Sequence, residues 1–283
     1  MRLLKDKKII AASRCPICKA AIEVRESGSI VCRGAKTHCY DIASSGYVNF
    51  CSPTQSGGGD SKAAVRARTA FLDSGAYEPV AREIQGALNA YCNKNGLVLD
   101  AGCGEGYYSS FAASEGFSVI GADISKFAVD AAAKRLGRAG YENSFFETAS
   151  VFELPMHDSS ADAVINIFAP CVEQEFSRVL KNGGILVVAW AGEEHLLGLK
   201  RAIYDNVRQN TERADMPQGM ELLSEKHARY DIELDTNERI LDLFSMTPYY
   251  WRTSEGDKEK LAALDTLKTE IEFEINIYRK ENT

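Results

Sequence analysis

Leu97-Val98-Leu99-Asp100-Ala101-Gly102-Cys103-Gly104-Glu105-Gly106-Tyr107-Tyr108 is the stretch whose reading settles the fold class. Three apolar residues ending in an acid read as a strand of a parallel sheet, buried on both faces. Glycines at alternate positions then permit a tight turn in which the backbone comes close to a ligand, because no Cβ stands in the way. A helix expected to begin at Tyr107 turns its free N–H groups toward the same crevice. Together these features describe a nucleotide-type cofactor loop at the carboxyl end of the first strand of an α/β sheet.

The spacing is G-x-G-x-G behind Asp100, whereas dinucleotide-binding loops carry G-x-G-x-x-G. It resembles the loop of S-adenosylmethionine (SAM) methyltransferases, whose cofactor has no pyrophosphate to cradle. That resemblance implies that Asp100 and the backbone at Gly102, Gly104 and Gly106, with Tyr107 and Tyr108 opening the helix, meet the methionine end of SAM. A glycine-rich structural turn is the plainer alternative. Phe117-Ser118-Val119-Ile120-Gly121-Ala122-Asp123 reads as a second strand ending in an acid, roughly twenty residues on, where a ribose-binding carboxylate belongs. Asp123, with Ile124 after it, joins the cofactor set. Capping a helix over residues 126–136 is its other role.

Helix and strand continue to alternate. Residues 144–149, 161–168 and 185–190 read as strands, and residues 62–72, 79–92 and 172–180 as helices, the last stopped by Lys181-Asn182-Gly183-Gly184. This alternation predicts a doubly wound sheet. Residues 265–280 end in Glu270-Ile271-Glu272-Phe273-Glu274-Ile275-Asn276-Ile277, alternating like an antiparallel edge strand. SAM methyltransferases finish with such a strand, so the expected fold is a Rossmann-like class I α/β domain with a seven-stranded sheet. Ligands lie beyond the carboxyl ends of such strands. The adenine is therefore expected near Thr148, Ala149 and Ser150, where Ser150 or backbone groups replace the acid that many methyltransferases offer. The target base is expected near Asn166 and Phe168-Ala169-Pro170-Cys171. Phe-Ala-Pro is a degraded relative of the Asn/Asp-Pro-Pro-aromatic motif of amino-nitrogen methylation, which suits a ring nitrogen. Pro170 as a plain turn residue is the alternative.

The chain has 283 residues, 45% of them apolar and 26% charged, the composition of a globular protein of one large or two modest domains. No apolar run approaches the ~20 residues needed to cross a bilayer. Met1-Arg2-Leu3-Leu4-Lys5-Asp6-Lys7-Lys8 lacks the apolar core of a secretion signal. The eight cysteines are therefore expected to be reduced thiols or metal ligands in a cytoplasmic protein. Net charge is −7, but residues 1–68 hold twelve Lys or Arg against five Asp or Glu (+7), leaving 21 against 35 (−14) in the remainder. A basic binding module on an acidic catalytic body fits that asymmetry, as does a merely solvated basic end.

Cys15-Pro16-Ile17-Cys18 is a C-x-x-C knuckle, followed after thirteen residues by Cys32 and then by His38 and Cys39. Cys15, Cys18, Cys32 and His38 form the favoured ligand set, with Cys39 as a substitute for His38. Four protein ligands leave no open position, so such a zinc is structural, and it supplies folding energy that ~50 residues cannot find in a core of their own. A redox pair or ordinary buried thiols are the competing readings. Arg14, Lys19, Arg25, Arg33 and Lys36 lie among the ligands, as phosphate-contacting side chains would.

Here the resemblance narrows. The knuckle, His38-Cys39-Tyr40-Asp41 and Gly46-Tyr47-Val48-Asn49-Phe50 are similar to the N-terminal module of the RlmA-type ribosomal RNA guanine-N1 methyltransferases. Further matches are Arg66-Ala67-Arg68, Phe71-Leu72-Asp73-Ser74-Gly75-Ala76-Tyr77, the glycine loop, Phe168-Ala169-Pro170-Cys171 and Met246-Thr247-Pro248-Tyr249-Tyr250-Trp251. The resemblance implies methyl transfer from SAM to N1 of one guanine in a hairpin loop of 23S ribosomal RNA, no membrane partner, and homodimerisation as in relatives. It also implies cofactor contacts at Tyr77 and His195; a core tyrosine and an uncommitted helix-starting histidine are the alternatives. The five residues between Cys32 and His38 exceed the family spacing, which keeps Cys39 in competition. The expected division is a zinc-binding RNA-recognition module over 1–51, a linker (Ser/Gly-rich over 52–60) and helix over 52–76, and the SAM-dependent methyltransferase domain over 77–283.

Guanine N1 bears a proton, so a base or a stabiliser of anionic O6 is needed. No residue announces itself; Asp158 and Glu173 are candidates. Tyr249, Tyr250 and Trp251 suit stacking on a base taken out of its stack, or a hydrophobic lid. A methyltransferase acting on a small molecule would share the 97–190 core without needing a +7 zinc module.

Overall fold

The structure, a computed structural model, describes residues 4–52, 58–207, 209–210 and 217–282; the middle of the Ser/Gly-rich linker, residues 53–57, lies outside the described residues. The N-terminal module contains helix α1 (Lys7–Ala12) and strands β1 (Ile22–Val24), β2 (Ser29–Cys32), β3 (Cys39–Asp41) and β4 (Tyr47–Asn49). Helices α2 (Lys62–Asp73) and α3 (Glu78–Tyr91) lead into the alternating body. That body comprises β5 (Leu97–Ala101), α4 (Tyr107–Ser114), β6 (Ser118–Asp123), α5 (Lys126–Arg138), β7 (Ser144–Thr148), β8 (Ala161–Ile167), α6 (Glu173–Val179) and β9 (Leu180–Ala191). The chain ends with α7 (Leu197–Ile203), β10 (Met220–Leu234), α8 (Asn237–Ser245), a 3-10 turn (Pro248–Trp251), α9 (Glu255–Ala262) and β11 (Leu267–Lys280). Serines cap three of the helices: Ser61 α2, Ser125 α5 and Ser254 α9. Ser61 Oγ accepts from the Ala64 N–H at 3.2 Å and Ser125 Oγ from the Ala128 N–H at 3.3 Å, each satisfying an orphan donor. Pro79 sits in the first turn of α3, where its missing N–H costs nothing.

The main sheet runs β10-β11-β9-β8-β5-β6-β7-β4. Strands β4 through β9 are parallel to their neighbours, and β11 is antiparallel to both β9 and β10. The chain leaves β5 through β6 and β7 on one side and returns through β8 and β9 on the other. The topological switch point, where such folds bind ligands, therefore lies between the carboxyl ends of β5 and β8.

The sheet adds to one expectation and corrects two others. The methyltransferase body contributes the seven strands expected, β5 to β11, and the N-terminal module lends an eighth, β4, to the same sheet: Tyr47 pairs with Phe146 and Asn49 with Thr148. Otherwise β7 would present a bare row of N–H and C=O groups. Strand β11 is interior, which is why Ile271, Phe273, Ile275 and Ile277 are fully buried; the edge is β10, whose alternating charged side chains guard it. Strand β9 also begins earlier than expected, at Leu180, and takes in the Lys181 to Gly184 stretch read as a turn.

Each face of the sheet carries a core. One packs α2 to α5 and α7 to α9 through Phe71, Ile84, Leu136, Leu199, Phe244 and Leu261. On the other, Ile9, Ile22, Ile30, Val48 and Phe50 of the module meet Leu99, Ile120, Phe145, Leu186 and Phe176 of α6. The module thus closes one face of the methyltransferase sheet instead of hanging from it.

Candidate cofactor crevice and metal centre

Buried acids line the crevice. Asp100 ends β5 at 2% exposure and accepts a hydrogen bond from Ser109 Oγ at 2.6 Å. Burial pushes its carboxyl up to about 7, despite that hydrogen bond. Burial also raises Asp123 and Glu105, which sit close enough to oppose ionisation of Asp100. A site of three crowded carboxyl groups suits a ligand that brings positive charge, and SAM carries a sulfonium and an ammonium. The Tyr108 hydroxyl is buried here without a hydrogen-bond partner among the described residues, an orphan donor that a polar ligand would satisfy.

The loop shape follows from its glycines. Gly102, Gly104 and Gly106 all have positive φ, at 84°, 53° and 79°. A Cβ on Gly106 would stand 2.9 Å from Ala132 Cβ, so this glycine lets α4 approach α5. The Gly104 N–H donates to Asp123 Oδ2 at 3.0 Å, and the Ser125 N–H to Asp123 Oδ1 at 2.8 Å. Asp123 therefore ties loop to strand end, while Ser125 performs the helix capping. Residues 59 and 60, which no motif marked, lie over this edge. A Cβ on Gly59 would meet Ile124 Cγ2 at 2.9 Å, Ser125 Oγ donates to Asp60 O at 2.7 Å, and Asp60 pairs with Arg68. Ser150, at the next strand end, is half-buried, and its Oγ accepts from the Phe152 N–H at 3.3 Å.

Tyr77 and His195 meet on the far wall. The Tyr77 hydroxyl lies 3.2 Å from His195 Nε2, and the Glu272 N–H donates to His195 Nδ1 at 3.2 Å. With Nδ1 accepting, the ring proton is on Nε2, facing Tyr77. Burial, then the Lys200 charge, drives the imidazole down to about 3, so it stays neutral. Both side chains are buried, at 1% and 4% exposure, and Phe273 packs against both rings. The roles of Ser109, Asp60 and Glu272 escaped the sequence reading, as did that of Arg68 within the Arg66-Ala67-Arg68 match; they are partners created by folding.

Asn166 is buried at the end of β8 and donates through Nδ2 to Ala101 O at 2.9 Å and Pro170 O at 3.4 Å. It thereby ties the ends of β5 and β8 to the loop beyond. Phe168 follows with φ +52° and a half-exposed ring, 4.8 Å from Phe273 and 5.7 Å from His195. A phenylalanine in the left-handed region is strained, a feature that clusters at ligand sites. Asp158 pairs with Arg178 at 2.6 Å and Arg14 at 3.4 Å, and Arg178 holds its carboxyl below the usual range. It is a structural anion, poorly suited to accept a proton. In the Tyr249-Tyr250-Trp251 stretch, Tyr249 reaches Asn210 Oδ1 at 3.3 Å and Tyr250 packs on Phe244, which leaves Trp251 exposed.

In the module, the ligand atoms of Cys15, Cys18, Cys32 and His38 lie within 4.8 Å of one another. Cys18 Sγ to Cys32 Sγ is 3.5 Å, Cys32 Sγ to His38 Nδ1 3.5 Å and Cys15 Sγ to His38 Nδ1 3.6 Å. Tetrahedral zinc with Zn–S of about 2.3 Å and Zn–N of about 2.0 Å needs edges of roughly 3.5–3.8 Å, so this set fits a structural Zn2+. Cys39 is exposed on β3 and outside the cluster. The Tyr40 hydroxyl lies 3.1 Å from Cys15 Sγ, and the His38 N–H donates to Cys32 Sγ at 3.1 Å and pulls that thiol down to about 6. Of the basic residues among the ligands, Arg14, Lys19 and Arg33 are paired with Asp158, Glu153 and Glu23. Arg25 and Lys36 are exposed and in none of these pairs.

Residues 92–245 match a family model described as a methyltransferase domain, and residues 13–56 match one described as RlmA, N-terminal. The chain is 30% identical over 268 residues to a Streptomyces fradiae protein described as 23S rRNA (guanine(748)-N(1))-methyltransferase, covering 90% of each chain. It is 27% identical over 282 residues to a Bacillus subtilis protein provisionally named a 23S rRNA (guanine-N(1)-)-methyltransferase, covering 93% of this chain and 95% of that one. In fold it is similar to a Bacillus halodurans crystal structure provisionally named a methyltransferase, with a TM-score of 0.50 and 14% identity over 70% of this chain and 98% of that one. A methyltransferase body behind an RlmA zinc ribbon, aligned along nine-tenths of such a relative, leaves one assignment: the chain belongs to the RlmA-type 23S rRNA (guanine-N1) methyltransferase family.

Proposed function

We propose that the protein transfers a methyl group from SAM to N1 of one guanine in a hairpin loop of 23S ribosomal RNA. The observation that carries this reading is a crevice suited to a cationic cofactor with a zinc ribbon bolted to its rim. The Arg14 N–H donates to Pro155 O and the His157 N–H to Ala12 O, both at 2.8 Å, so the ribbon is pinned to the loop after β7. The relatives described above are named for that RNA and that atom. In this reading residues 1–51 recognise RNA, residues 52–76 connect, and residues 77–283 carry the chemistry. The hairpin-loop target, a homodimeric assembly and a cytoplasmic location come from the family resemblance. No helix among the described residues is long and apolar enough to cross a membrane.

SAM, when bound, supplies a methyl group already activated on a sulfonium, so the chain's task is alignment and charge handling. Asp100 and the close backbone approach that Gly102, Gly104 and Gly106 permit, with Tyr107 and Tyr108, would hold the methionine end. Asp123 and Ile124 hold the ribose, and Ser150 the adenine. His195 donates to the Tyr77 hydroxyl, which leaves the Tyr77 proton free to be donated into the crevice. Asn166 braces the wall against which the guanine lies. Cys15, Cys18, Cys32 and His38 hold the zinc.

The test is mass mapping of methylated nucleotides after incubating the protein and SAM with large-subunit ribosomal RNA transcript. One new methyl on N1 of a single loop guanine is the expected result. SAM binding without RNA methylation would overturn the reading in favour of a small-molecule methyltransferase.

A further inference from the structure

Three of the twelve phenylalanines are exposed: Phe127 at 40%, Phe152 at 67% and Phe168 at 49%. Their positions share a rule. Each follows the carboxyl end of a strand: Phe168 directly after β8, Phe127 four residues after β6, Phe152 four residues after β7. In the sheet these strands run β8-β5-β6-β7, so the three residues follow the carboxyl ends of strands at one end of the sheet. At about 4.8 Å per strand this rim spans roughly 14 Å from end to end, with the glycine loop, after β5, between the first two positions. Beyond Phe152 comes the zinc knuckle. Lys19 Nζ bonds Glu153 Oε1 at 2.5 Å and Pro16 O at 2.8 Å, which ties the knuckle, with its exposed Ile17 (65%), to the residue after Phe152.

Burying a phenylalanine stabilises a fold by about 1.5–3 kcal/mol, so three left in solvent on one rim call for an explanation. A protein-docking surface would join them into a contiguous apolar patch. Here the residues are separated, one per strand end, and a cation lies beside one of the rings: Lys126 Nζ is 5.2 Å from the Phe127 ring centroid. Isolated aromatic faces with neighbouring cations are what unpaired nucleotides use, each base stacking on a ring while cations meet the phosphates. We infer that Phe127 and Phe152 are stacking platforms for unpaired nucleotides flanking the target guanine, forming a track from the Phe168 wall of the crevice to the zinc knuckle. This inference rests on the RNA reading above and adds to it the residues that select a single-stranded, loop-shaped substrate.

Both side chains are exposed, so F127A and F152A keep the core intact, which melting curves check. With full-length protein and a hairpin transcript of the target loop, each variant is expected to raise KM for RNA at least fivefold, with kcat and SAM affinity unchanged. F152W is expected to retain wild-type KM and F152L to lose it. A hairpin carrying 2-aminopurine beside the guanine is expected to be quenched by the wild type and not by F152A. Wild-type KM and quenching in both alanine variants would overturn the inference while leaving the functional reading intact. Full rescue by F152L would overturn stacking in favour of plain apolar docking. A change in oligomeric state with unchanged KM would assign the rim to contacts between copies of the chain. Quenching by the wild type alone sustains the inference even without methyl transfer, and a hairpin neither bound nor methylated by the wild type overturns both readings.

Discussion

Asp100 owes its position near neutrality to burial and to the neighbouring acids Glu105 and Asp123. Its ionised form is the one that holds a cationic ligand, so affinity for SAM should rise as pH climbs from 6 to 8. In D100N that rise should disappear and binding at pH 8 should weaken by about tenfold or more, the scale of a lost charge-assisted hydrogen bond; calorimetric titration across the pH range checks both. Glu147 poses the opposite case. It is fully buried in β7, neither carboxyl oxygen has a hydrogen-bond partner among the described residues, and burial raises it well above the normal range. The folded state therefore holds a proton that the unfolded chain releases above about pH 4.3. The stability tied to that proton is complete below that pH and is lost as pH rises toward the folded-state value. E147Q should consequently melt higher than the wild type at pH 8, with the difference closing toward pH 4.

At the scale of elements, the glycine loop and the zinc ribbon are the two units on which others depend. Gly106 combines a φ of +79° with a would-be Cβ 2.9 Å from Ala132. Gly106→Ala must strain the turn and push α4 from α5, and should cost about 2–4 kcal/mol in denaturant unfolding while lowering SAM affinity. The ribbon donates β4 to the main sheet, so its metal supports more than its own strands. Chelation, or C32A, should lower the melting temperature of the whole chain by at least about 10 °C in one transition. A separate early transition in calorimetry would contradict that coupling. The glycine loop, the knuckle and the strand-ending acids were legible because each is a local pattern with a local physical reason. The identity of the edge strand was not. The alternation in β11 is the same for an edge strand and an interior one, and only pairing with β10 distinguishes them.

For the molecule as a whole, the N-terminal fifth is inseparable from the rest. Ile9, Ile30, Val48 and Phe50 cover Leu99, Ile120 and Phe145 on one face of the sheet. A chain lacking residues 1–51 exposes that face and the bare edge of β7 together. It should be insoluble or aggregate on purification, as size-exclusion chromatography would show, so deletion cannot report on RNA recognition and point substitutions must. The charge asymmetry of the sequence, +7 against −14, is in part spent on this attachment: Arg14 and Lys19 are held by Asp158 and Glu153 across the junction.

Residues close in sequence were enough to establish an α/β methyltransferase-type crevice at the end of β5, the two acids that flank it, and a four-ligand metal knuckle. Turn, strand and chelate geometry are set within a few residues of one another, and those constraints are printed in the chain. Tertiary structure alone decided the rest. It brought Ser109 to Asp100 and Glu272 to His195, added β4 to the sheet, placed Asp60, paired with Arg68, against Ser125 at the end of β6, and set the strands that Phe127, Phe152 and Phe168 follow in the order β8-β5-β6-β7. Each of those relations joins residues from separate elements, through packing that no local pattern encodes.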